Sequence, residues 1–106
     1  MFGFFVLASA ATVQFFTGND LYQFCKSNSS ADRAFCYGFV SGVADTERAI
    51  DSYRKPPVQH ICIDDTVVVD QVRGVVIRYM EQFPEKRNYS AASIASDALE
   101  QAFPCK

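Results

Sequence analysis

The chain reads as one small all-α domain of about four main helices in two antiparallel hairpins, braced by disulfides. Three observations predict this. Apolar residues recur at spacings of three and four in four separate segments. Prolines or polar turns end those segments. Four cysteines stand in a chain of 106 residues, an even count in a domain too short to build a deep core. Composition agrees. With 49% hydrophobic and 21% charged residues, wholesale disorder and coiled coil are excluded. A net charge of -2 with no block of like charges argues against a basic nucleic-acid-binding face.

The first ten residues carry an uncharged apolar run, Phe2 to Leu7, followed by Ala8-Ser9-Ala10. That is the small-x-small pattern of a signal-peptide cleavage site, so residues 1–10 are expected to be a leader cut after Ala10. The leader is short and lacks a basic residue before its apolar run. Thr12, Gln14 and Thr17-Gly18-Asn19-Asp20 interrupt the segment well before the roughly 20 residues of a membrane span. The other reading is an amphipathic first helix packed on the core. On the leader reading, residues 11–106 form the domain, exported and free of the membrane after cleavage.

Asn19-Asp20 marks the start of the first helix, with Leu21, Phe24 and Cys25 on one face. Ser27 to Ser30 is a turn. Asp32 is the expected cap of the second helix, which carries Phe35, Cys36, Phe39, Val40, Val43 and Ile50 and ends at Arg54-Lys55-Pro56-Pro57. Residues 58–65 form an irregular loop. Thr66 is the expected cap of a third helix reaching Phe83. Its β-branched content would suit a strand, but Val69, Val72, Val76, Tyr79, Met80 and Phe83 follow the helical period. Ser90 caps a fourth helix with Ala91, Ile94, Ala95, Ala98, Leu99 and Ala102 on one side.

Cys25 and Cys36 face each other across the first hairpin's turn, and Cys62 and Cys105 lie at the open end of the second. Helix topology favours the pairs 25–36 and 62–105, although four cysteines allow three pairings. Zinc held by Cys25, Cys36, His60 and Cys62 is the alternative, but no closely spaced cysteine pair supports it. A nucleophilic cysteine served by His60 would need a free thiol. No cofactor is expected.

Gly38 and Gly42, with Ser41 beside them, form a small-residue face on the second helix. Each glycine costs a helix up to about 1 kcal/mol against alanine. Close approach of another helix, within the chain or from a second copy, would offset that. Asp45 follows one turn later, either buried and bonded or half-exposed. Asp45, Glu47 and Asp51 resemble an acid set for glycoside cleavage only superficially, because one helix carries all three and no acid opposes them. The loop from Arg54 to Asp65 mixes two cations, two prolines, His60 and two carboxylates. Arg54, Lys55, His60, Asp64 and Asp65 are the candidate partner contacts. Glu85 to Asn88 is a second exposed candidate.

These residues together resemble the Rap/Tai immunity-protein family. The likeness is carried by Thr17 to Cys25, by Phe35-Cys-Tyr-Gly-Phe-Val-Ser-Gly-Val-Ala-Asp45, by Cys62, by Gln71 to Tyr79, by Phe83 to Arg87, and by the closing Ala98-Leu-Glu-Gln-Ala-Phe-Pro-Cys105. It runs in order from about Thr17 to Cys105. One departure is Asp64, where the family often has proline two residues after the third cysteine. The resemblance implies a helical periplasmic protein, commonly a homodimer. It implies binding to a papain-like peptidoglycan amidase delivered by type VI secretion, blocking its cleft without enzymatic activity. Two rivals are a stress or chaperone-like periplasmic protein and an envelope-associated binding domain with no effector.

Overall fold

The computed structural model describes residues 14–105, so the expected leader, residues 1–10, lies outside the described residues. Among the described residues there are four helices: α1 (Gly18–Lys26), α2 (Ser30–Tyr53), α3 (Val69–Gln82) and α4 (Ala91–Ala102). A single 3-10 turn, Pro84–Lys86, separates α3 from α4. Each helix touches the other three, with α1 against α2 and α3 against α4 as the hairpin partners. This is the expected all-α class.

Thr17 caps α1. Its hydroxyl accepts from the Asp20 amide at 3.2 Å, and the Asp20 carboxylate accepts from the Thr17 amide at 2.9 Å. This reciprocal pair satisfies amides that the first turn leaves open. Asp20 therefore sits inside the helix rather than at its start. On α2, Ser29 is the cap, accepting from the Asp32 amide at 3.3 Å. Asp32 again lies one turn in, where a carboxylate favours the positive end of the helix dipole. The expected cap of α3 is also displaced. Asp64 Oδ1 accepts from both the Thr66 amide (2.8 Å) and the Thr66 hydroxyl (2.9 Å). That local turn delays the helix to Val69, where Gln71 Oε1 accepts from the Val68 amide at 2.9 Å. Ser90 caps α4 as expected, accepting from Ser93.

The core gathers Leu21 and Cys25 of α1, Cys36, Val40 and Ala44 of α2, Val72, Val76, Tyr79 and Met80 of α3, and Ile94, Ala95, Ala98 and Leu99 of α4. Buried positions are four or seven apart in α2, and in α3 Val76 is followed three and four residues on by Tyr79 and Met80, the pattern of one helix face. Ile61 from the α2–α3 loop joins this core. Ile50, expected on the inward face of α2, is 45% exposed, because that face continues from Ala44 to Asp51, seven residues on, and leaves Ile50 to one side.

Two disulfides brace the bundle. Cys25–Cys36 ties α1 to α2, and Cys62–Cys105 ties the end of the loop to the residue beyond α4. The entry to α1 is fastened to the turn before α4. The Gly18 amide donates to Tyr89 O (2.8 Å), the Asn19 amide to Arg87 O (2.7 Å), and the Ala91 amide to Phe16 O (2.8 Å). Two arginines seal helix ends. Arg73 Nε donates to the Cys25 carbonyl at 3.0 Å and Arg87 Nε to the Met80 carbonyl at 2.8 Å. Arg87 also stacks on Tyr22, 4.0 Å from the ring centre. The Glu85–Asn88 stretch, expected to be an exposed candidate, thus includes a residue with a structural task. No described helix is long and apolar enough to cross a membrane.

Candidate functional site

The most distinctive polar site is the α2–α3 loop. Tyr53, at 81%, and Val58, at 43%, are exposed, and so are Arg54, Lys55, Pro56, Pro57 and Gln59 between and beside them. Proline narrows the backbone freedom of such a segment. The loop's base is Asp51, the one buried charged residue among the described residues, at 4% exposure. Asp51 Oδ2 accepts from the His60 amide at 2.8 Å, and Oδ1 accepts from His60 Nδ1 at 2.9 Å. Arg54 Nε stands 3.6 Å from Oδ1. The His60 amide, then its ring, holds the Asp51 carboxyl below the usual carboxylate range. A buried carboxylate is tolerated here because its oxygens are hydrogen-bonded. Beyond His60 the chain is fixed separately. Ile61 is buried, and the Cys62 amide donates to Phe103 O at 2.8 Å.

A cleft of about 740 Å³ lies beside the loop, lined by Arg48, Asp51, Ser52, Pro57, Gln59, Ile61 and Cys105 among others. A second, of about 310 Å³, lies between Arg48, Gln59, Ile63 and Asp64. Arg48 borders both and was missed by sequence reasoning. The available signal was its place three residues before Asp51, one turn up the same helix. In the sequence Asp51 stands out only as a member of an acid set on α2. The structure gives it a holding role instead.

Arg54 and His60 therefore converge on one carboxylate, and Lys55 sits exposed between them. Asp64 and Asp65 are exposed on the far side of Cys62. Thr66 engages Asp64, and its amide above all keeps that carboxyl below the ordinary range. With every cysteine in a disulfide, none supplies a thiolate to zinc or a free thiol nucleophile. Among the described residues no group of His, Cys, Asp or Glu is arranged to hold a metal.

The small-residue face of α2 is elsewhere. A Cβ placed on Gly38 or Gly42 would meet nothing within 4 Å, so no other described part of the chain approaches there. This corrects the intrachain close-approach expectation. Helix packing turned that face outward. Ser41 is half-buried, its hydroxyl donating to the Tyr37 carbonyl at 2.6 Å within its own helix. Asp45 is exposed, which removes the buried-carboxylate alternative. Next to the glycines, Phe39, Val43 and Ala92 line a shallow apolar groove. It continues past Phe39 to Phe15 and Phe16.

The four described helices, two disulfides and a pinned exposed loop define a small, disulfide-braced helical scaffold. Its family model is that of the Rap1a immunity proteins, which matches residues 17–105, and the chain belongs to that family. It is thus an immunity protein, made to bind a secreted effector. No curated protein shows a match to it.

Proposed function

We propose that this chain is a periplasmic immunity protein that binds a peptidoglycan amidase delivered by type VI secretion and covers its catalytic cleft. The observation that carries this is the α2–α3 loop: exposed from Ser52 to His60, yet pinned at its base by Asp51 and just beyond by Ile61 and Cys62. A projecting segment that is already ordered loses little freedom on docking. Its exposed tip carries Pro56 and Pro57, and Arg54, Lys55 and the nearby Arg48 suit an acidic rim. The protein works by occlusion and needs no chemistry of its own. Disulfides and a leader ending at Ala10 fit an exported protein.

The test is inhibition of a papain-like peptidoglycan amidase encoded beside this chain's gene. The unaltered chain is expected to block wall hydrolysis stoichiometrically. The double variant Arg54→Ala/Lys55→Ala is expected to need about tenfold more protein, in line with truncation of interface anchors. A chain that leaves the amidase fully active overturns the reading.

The family resemblance also points to a homodimer, and the exposed groove of Gly38, Phe39, Gly42 and Val43 is where a second copy would sit. Gly42→Leu separates folding from association. Nothing in the same chain obstructs the new side chain, and loss of a helical glycine favours the helix by up to about 1 kcal/mol. The variant is expected to melt no lower than the parent and to sediment as a monomer. Retention of the dimer would place the contact elsewhere.

A further inference from the structure

We propose that Asp51 is the positioning residue of the effector-binding loop, closing residues 52–59 into a ring by receiving His60 from its far end and Arg54 from its near end. The inference rests on the reading that this loop meets the effector. Its own support is geometric. Two donors of one residue, the His60 amide at 2.8 Å and Nδ1 at 2.9 Å, take separate oxygens of one carboxylate, while Arg54 Nε flanks the same group at 3.6 Å. An ionised carboxylate only accepts, so Nδ1 must carry the proton. That fixes the ring with Nδ1 turned to the protein body and Nε2 on the opposite edge. The ring is 40% exposed, so this fixed imidazole is itself part of the loop's outer surface.

From Lys55 to Val58, no described side chain bonds back to the helices. The carboxylate is therefore what determines where this stretch lies. The chain on the other side is secured independently by Ile61, by the Cys62 amide on Phe103 O and by the Cys62–Cys105 bond. Losing the carboxylate should free the loop and leave the bundle standing. That separation makes a positioning role testable.

The experiment compares Asp51→Asn, His60→Ala and His60→Asn with the parent chain. Asparagine at 51 offers one oxygen and one NH2 to two converging donors, so one contact must fail. Asparagine at 60 keeps the backbone donor and places its Nδ2 about where the imidazole Nδ1 stands. In the parent, nitrogen-15 spectra are expected to show a single His60 tautomer protonated at Nδ1. In Asp51→Asn, resonances of residues 52–60 should shift and broaden while those of α1, α3 and α4 stay in place. Inhibition of the amidase should weaken about tenfold in Asp51→Asn and in His60→Ala, and return to within about twofold of the parent in His60→Asn.

Unchanged loop resonances in Asp51→Asn overturn the inference, and so does unchanged inhibition once the loop is loosened. If Asp51→Asn does not fold, the His60 pair decides: equal inhibition by the alanine and asparagine variants overturns it. Failure of the parent to inhibit any such amidase instead removes the functional reading on which the inference stands. The spectra still report whether the clasp exists.

Discussion

Replacing Cys62 and Cys105 together by serine should lower the unfolding free energy by about 4 kcal/mol. The bond closes a separation of 43 residues, and releasing a loop of that length restores about this much freedom to the unfolded chain. For a domain of this size each kcal/mol corresponds to some 4–8 °C, so the melting temperature should fall by roughly 15–30 °C. Serine is a fair replacement here, because Cys62 is exposed and Cys105 half-buried, so neither new hydroxyl must be buried. The Cys62 amide keeps its bond to Phe103 O. Circular dichroism melts in non-reducing buffer measure the difference. A fall under about 5 °C would mean that the unfolded chain is already compact without the bond. The inner pair, Cys25–Cys36, spans a separation of only 11 and should contribute about 3 kcal/mol by the same reasoning. Its cysteines are fully buried, so serines there would add a desolvation cost to the entropic one.

Gly18→Ala should destabilise the fold, although alanine is the better helix former. A Cβ at this position would lie 2.8 Å from the Arg87 carbonyl oxygen and 3.0 Å from the Arg87 Cα. Both are backbone atoms of a turn that is itself bonded to Gly18 and Asn19, so neither can step aside cheaply. The overlap is expected to cost roughly 1–3 kcal/mol, against up to about 1 kcal/mol gained in helix propensity. A urea midpoint lower than the parent's, with the slope unchanged, is the expected outcome. A midpoint equal to or above the parent's would show that the turn can yield. The contrast with Gly42 is instructive. The two glycines look alike in sequence, yet one is wedged against backbone and the other faces open space.

That contrast shows where sequence reading reaches its limit. The helical period is enough to find α2 and α3 and to choose helix over strand for the valine-rich segment, which is helical from Val69 onward. The family resemblance rested on positions that the fold indeed uses, above all the cysteines. The sequence places the first three caps two or three residues away from the observed Thr17, Ser29 and Val68. Each neighbourhood holds several groups able to cap, and Asp64 captures Thr66 by a purely local choice. What periodicity could not reveal depends on contacts distant in sequence. Gly18 meets Arg87, Arg73 meets Cys25, and Asp51 meets His60 only once the loop has turned back. Of the candidate contacts, Arg54, Lys55 and His60 stand on one projecting loop. Asp64 and Asp65 lie apart from it, beyond Cys62.

The arginines that seal the helix ends have a consequence for how a partner would be met. The chain carries ten lysines and arginines and a net charge of -2. Lys26, Arg33, Arg73, Lys86 and Arg87 are occupied by carboxylates, carbonyls or rings of the same chain. Arg54 is likewise paired with Asp51, and it stands with Arg48 and Lys55 around the projecting loop, while Arg78 is exposed on α3. An overall acidic molecule thus keeps a local group of cations around that loop. Such a charge asymmetry orients an approaching acidic surface before contact and speeds the encounter. The effect fades as ionic strength rises and the screening length shrinks to about 8–10 Å. The cations spent inside the fold therefore leave Arg48 and Lys55 as the loop's own contribution to that field.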